Sequence, residues 1–162
     1  MKREIVVAFE SYCAPNPGRS NQPVAFASAA GSAGPLPVLT TLLADPINVV
    51  SATINTSGMK DVSNHLIFTS NINLPLGVSV TLNFQITRIA EDGGAIKVGS
   101  TYTFATTAVV LESETFAFQF TDRNLQPGVY TYSVEISTNS IIDITPGLTV
   151  NNAVLTILAF ND

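Results

Sequence analysis

The chain has 162 residues, 46% apolar but only 12% charged, with a net charge of -5. That length supports one core burying roughly two-thirds of the unfolded surface, plus an arm, and charge at half the usual ~25% leaves much of the surface to neutral Ser, Thr and Asn. The acidic balance excludes a nucleic-acid backbone as partner, the lone cysteine excludes an internal disulfide, and no apolar run reaches the ~20 residues of a membrane-spanning helix.

The chain opens MKREIVVAFESYCAPNPGRSN, five apolar residues between charged neighbours and then a loop rich in Pro, Asn and Gly. In IVVAF, Ile5, Val7 and Phe9 share one face and Val6 and Ala8 the other, so the segment is a complete strand without a local partner. Residues 11 to 22 span about 35 Å when extended, enough to reach another subunit. Such a strand can add to the sheet edge of a second molecule, and a head-to-tail contact of that kind propagates as a filament; the competing reading folds it back as the first strand of its own domain. Residues 1–22 are accordingly expected to form a connector arm and residues 23–162 a domain. Cys13, just past the arm, is a candidate for an intermolecular disulfide in an oxidising setting. Residues 5 to 9 are too short and too flanked by charge for a secretory signal, so an extracellular location implies release without a classical signal peptide.

Strands are expected at about 23–29, 37–43, 47–54 and 64–73, with PLPVLTTLLAD the one stretch where a helix competes. GVSVTLNFQITRI follows with strict alternation, Val78, Val80, Leu82, Phe84 and Ile86 against Ser79, Thr81, Asn83, Gln85 and Thr87, the pattern of a half-buried strand. Further strands are expected at 95–99 and 101–111. ETFAFQF then sets Phe116, Phe118 and Phe120 on one side, GVYTYSVEIS does the same with Tyr130, Tyr132, Val134 and Ile136, and a last strand covers 148–160. Glu91-Asp92-Gly93-Gly94, Pro127-Gly128 and Pro146-Gly147 supply the turns between them. Eight or nine short strands in this spacing specify an all-β antiparallel sandwich, most simply a C1q/TNF-like jelly roll with an extended N-terminal arm.

NNAVLTILAF has no polar side: Val154, Leu158 and Phe160 lie on one face, Leu155, Ile157 and Ala159 on the other, and TTAVVLE is similar. A strand apolar on both faces is covered on both. In a two-layer sandwich the outer cover comes from another chain, so Val154, Leu155, Ile157, Leu158 and Phe160 are candidates for a homo-oligomer interface.

Catalytic chemistry is thinly supplied. His65 is the only histidine, and no sequence feature sets a nucleophile and an orienting carboxylate beside it. One Cys and one His do not make a zinc site unaided. Glu91-Asp92 and Glu112-x-Glu114 lack the spacing of a calcium loop; the first is a turn and the second a solvated rim. No catalytic residue, metal or cofactor is expected, and an enzyme is disfavoured.

TYTFATTAVVLESETFAFQF and PGVYTYSVEISTNSIIDITPGLTVNNAVLTILAF resemble the jelly-roll domains of spore-surface proteins of Bacillus-type spore-formers, both the C1q/TNF-like exosporium domains and the endospore appendage fibre subunits. The resemblance covers roughly residues 23–162. It implies a trimeric or ring-like jelly roll, a connector at positions 3 to 22 that inserts into a neighbouring subunit, and release by lysis of the mother cell. This chain lacks a Gly-X-Y stretch and the multiple cysteines of disulfide-linked appendages. The leading expectation is a structural, self-assembling subunit of a spore-surface fibre, with further copies of itself and other spore-surface proteins as partners. The alternative is a C1q-like or lectin-like trimer binding a glycan or receptor, for which Tyr102, Tyr130 and Tyr132 are the available stacking rings.

Overall fold

A computed structural model of the chain describes residues 25–36, 46–108, 110–138 and 147–161. Eight strands form, β1 Ala25–Ala33, β2 Ile47–Asn55, β3 Val62–Leu74, β4 Val78–Ala90, β5 Ala95–Ala108, β6 Glu112–Leu125, β7 Val129–Ser137 and β8 Thr149–Asn161. They pair antiparallel into two four-stranded sheets, β1-β8-β3-β6 and β2-β7-β4-β5. Successive strands cross repeatedly from one sheet to the other, and the result is the jelly roll expected from the alternation. The expected strand at 37–43, the arm Ile5–Phe9 and Cys13 lie outside the described residues.

Period 2 decides which side chains meet between the sheets. Val80, Leu82, Phe84 and Ile86 of β4 are buried against Leu66, Phe68, Ile72 and Leu74 of β3, with Tyr132, Val134 and Ile136 from β7 and Leu155, Ile157 and Ala159 from β8. Rings hold the middle of this layer. Phe84 lies 5.7 Å from Phe68 and 4.7 Å from Phe116 between ring centroids, while Phe118 stacks on Phe68 at 4.9 Å and on Tyr102 at 4.0 Å. Pairs of this geometry add about 0.5–1.5 kcal/mol each beyond the area they bury.

Two departures from simple alternation shape the sandwich. The strands expected at 95–99 and 101–111 are one strand, β5, bulged where Phe84 pairs with Tyr102 but Ile86 pairs with Val98. Gly99 sits in the bulge at φ 71°, a conformation glycine adopts without cost, and its bare Cα faces the Phe120 ring. On the opposite side of the molecule Gly31 brings β1 against β2 so closely that a Cβ there would collide with the Val49 carbonyl oxygen.

Near the β4–β5 turn, the core layer ends in polar groups. Arg88, on the inward face of β4, donates to Asp122 Oδ2 of β6 at 2.7 Å. The Tyr132 hydroxyl donates to the same oxygen at 3.0 Å and accepts from Asn64 Nδ2 at 2.9 Å. Four strands from both sheets are thereby tied through one carboxylate. Burial pushes the Tyr132 phenol far above its ordinary range, so it stays a neutral donor. Partial burial pulls the Arg88 guanidinium down, but the hydrogen bond and charge of Asp122 outweigh this and hold it above its usual value. Alongside, the Tyr130 hydroxyl donates to the Gln126 carbonyl at 2.6 Å, closing the β6–β7 corner.

Asp122→Ala strands Arg88 and the Tyr132 hydroxyl, and is expected to cost about 2–3 kcal/mol in urea unfolding. Adding Arg88→Met should recover a large part of that loss, because the stranded charge is gone. Gly31→Ala forces β1 and β2 apart and should lower the thermal midpoint by an amount corresponding to about 1–3 kcal/mol.

Candidate assembly surface

The outer face of the β1-β8-β3-β6 sheet is built from the residues that alternate with the core. The strand registers align them in rows: Phe26, Leu158, His65 and Thr121; then Ser28, Thr156, Ile67 and Gln119; then Ala30, Val154, Thr69 and Ala117. None of these twelve is Lys, Arg, Asp or Glu. Phe26, on the terminal strand of the sheet, is 66% exposed. Leu158, Val154, Ile67 and Phe160 on the same face are half-buried. The His65 ring Nδ1 lies 2.9 Å from Thr121 Oγ1, a local hydrogen bond across β3 and β6. Thr121 is the partner this geometry gives His65.

The five residues expected at an oligomer interface separate cleanly. Leu155 and Ile157 are fully buried in the sandwich core, because the register of β8 between β1 and β3 turns them inward. Only Val154, Leu158 and Phe160 remain on the outer face. TTAVVLE is also corrected: β5 ends at Ala108, and Val110 and Leu111 are exposed in the connection to β6. Phe26 was missed. It stands among alanines and serines in FASAAGSAG, and its exposure on the outer face follows from the register of β1 against β8, which no local pattern shows.

The other outer face differs in chemistry. On β2-β7-β4-β5 the outward residues are mostly hydroxyls and amides, and they bond to one another: Ser51 with Ser133 at 2.8 Å, Thr53 with Thr131 at 2.8 Å, Thr103 to Asn83 at 2.9 Å, and Thr101 to Gln85 at 3.2 Å. Of the three tyrosines considered for stacking on sugars, Tyr132 and Tyr130 are buried and Tyr102 is half-buried with its ring flat against Phe118. Among the described residues no group of three or more His, Cys, Asp or Glu could hold a metal ion.

A family model described as a domain of unknown function, DUF4489, matches residues 23–160. The chain belongs to the DUF4489 family. The matched span takes in all eight strands of the sandwich. No curated protein matches the sequence. Among solved structures, the chain is similar to a chain of the infectious bursal disease virus Gx strain, at 14% identity and a TM-score of 0.43. The similarity covers 88% of the DUF4489 chain and 30% of the viral one, so this chain spans under a third of that protein's length.

Since Phe26 buries little of its ring within the monomer, Phe26→Ala should change the unfolding free energy by less than about 0.5 kcal/mol. Leu155→Ala, which empties a core position, should cost about 2–5 kcal/mol in the same chemical denaturation.

Proposed function

We propose that this DUF4489 chain is a structural, self-assembling subunit of a surface fibre, with the spore surface as its setting. The observation that carries the reading is the uncharged, partly apolar outer face of the β1-β8-β3-β6 sheet. Four strands about 4.8 Å apart and roughly 30 Å long give a footprint on the order of 600 Å², comparable with the ~800 Å² per partner of a stable interface. In a chain of net charge -5, a second copy bringing the same neutral face meets no like charge there. The sequence resemblance of residues 23–162 to spore-surface jelly rolls supports the setting, and the apolar segment Ile5–Phe9, with its proline-rich leash, supports docking into a neighbouring subunit. Glycan binding is less well supported, because the outer hydroxyls pair with one another and the tyrosine rings are taken up by the core.

Wild-type protein is expected to sediment as oligomers and to show fibres by negative-stain microscopy. Phe26→Asp with Leu158→Asp should shift it to smaller species while the far-ultraviolet dichroism stays that of a β protein. Wild-type protein that remains monomeric at all accessible concentrations would sink the reading.

A further inference from the structure

Of the twelve residues aligned across the outer face of β1-β8-β3-β6, His65 alone has a side chain of the type that changes charge between pH 5 and 8. The alternation of β3 decides its side. Asn64 and Leu66 are buried, so His65 between them projects outward, half-buried. Leu158 of β8 lies directly across from it on one side and Thr121 of β6 on the other, with Phe26 of β1 beyond Leu158 in the same row. Phe160 and Ile67 stand in the rows to either side of it. The ring is therefore set within the apolar part of the face.

Few charges surround it. On this face β8 presents Phe160, Leu158, Thr156 and Val154, and β1 presents Phe26, Ser28 and Ala30, none of them ionisable. Beyond Thr121, β6 brings the exposed Arg123, at the bulge where Asn64 pairs with Asp122 but Val62 pairs with Leu125. Lys60 and Asp61, adjacent, opposite in charge and both exposed, precede β3. Asp122 points inward and is engaged by Arg88 and Tyr132. On a single chain either charge state of the imidazole is accommodated. Nδ1 lies 2.9 Å from Thr121 Oγ1, and that hydroxyl can donate to a bare ring nitrogen or accept from an N–H, while the half-buried ring keeps access to water. A second copy laid over the face removes the water, and its own twelve aligned residues bring no carboxylate in exchange. An imidazolium in that contact is a desolvated charge without a counter-ion, next to Arg123 of its own sign.

We infer that His65 is a pH switch on self-association: copies of the chain close over this face while the imidazole is neutral, and protonation of His65 opens the contact. The inference rests on the reading of the chain as a subunit that assembles through this face, and adds the condition under which it does so. The sign follows from desolvation. Burial in the contact lowers the ring's affinity for its proton, so association releases a proton, is at full strength above the titration range of imidazole and weakens as pH falls through it. For an imidazole of ordinary titration the association constant at pH 5.5 falls about tenfold for each His65 buried, and about a hundredfold where two copies bury theirs in one contact.

Sedimentation velocity of the full-length chain between pH 8 and pH 5.5, at constant ionic strength and with circular dichroism to follow the fold, tests this. The wild-type chain should associate at pH 8 and lose at least tenfold in association constant by pH 5.5 while staying folded. A carboxyl could also titrate in this range: that of Glu112 is raised above its usual values, chiefly by a hydrogen bond with Glu114. His65→Gln, uncharged at every pH, separates the two, and should associate equally at both ends of the range. His65→Arg, charged at every pH, should be as dissociated at pH 8 as the wild type is at pH 5.5. Two results overturn the inference while leaving self-assembly intact: a wild-type association constant that does not change with pH, or a His65→Gln chain that keeps the wild-type fall, which assigns the switch to another group. A wild-type chain that is monomeric at pH 8 removes the reading beneath, and the inference with it.

Discussion

Phe84 occupies the point where the two sheets are held at a fixed separation. It projects from β4 into a layer that receives Phe68 and Phe116 from the facing sheet, and the ring chain continues through Phe118 to Tyr102 on the terminal strand β5. A sandwich has only about 10 Å between its sheets, and planar rings fill that gap while tolerating the twist between the layers. The strands around them follow from this. Each must turn alternate residues toward the rings, and each must therefore leave the other half of its residues outside.

The aromatic layer does not run the whole length. Toward the β4–β5 turn, the inward positions of β4 and β6 become Arg88 and Asp122, and the packing that rings supply elsewhere is replaced by a charged hydrogen bond shared with Tyr132. A pair of this kind is a weak source of net stability. Its value lies in direction: Asp122 accepts from two donors on β4 and β7, and only one registration of β6 against the opposing sheet satisfies both. Gly31 fixes the other side of the sandwich, where β1 and β2 touch through backbone. Rings in the middle, a polar clamp at one end and a bare glycine at one side together specify the relative placement of sheets that apolar packing alone would leave free to slide.

Much of this fold was legible in the chain because it is written in period 2. The inward sets of β4, β6 and β7 can be read directly from GVSVTLNFQITRI, ETFAFQF and GVYTYSVEIS, and the turns at Glu91-Asp92-Gly93-Gly94 and Pro127-Gly128 fall where expected. The two-sided strand β8 was harder, because alternation shows that its faces differ but not which one looks inward; Leu155 and Ile157 went into the core only through the registers with β1 and β3. The Arg88–Asp122 contact joins residues 34 apart in sequence, and no local pattern announces it. TTAVVLE misled for the opposite reason. Its apolar residues looked like strand, but Val110 and Leu111 are where the chain leaves one sheet for the other.

The same alternation that builds the core also sorts the surface into unlike regions. One outer face pairs its hydroxyls and amides with one another and presents water with a saturated polar lattice, from Ser51–Ser133 to Thr103–Asn83. Such a face gains little from a partner, since each contact made would replace one already satisfied. The opposite face has a few internal bonds, such as Ser28 with Thr156, set among Phe26, Leu158, Val154 and Ile67, whose remaining exposure is relieved only by covering them. Burial there is favourable and burial on the hydroxyl face is close to neutral. A molecule with this asymmetry has one outer face on which contact is favoured over the other.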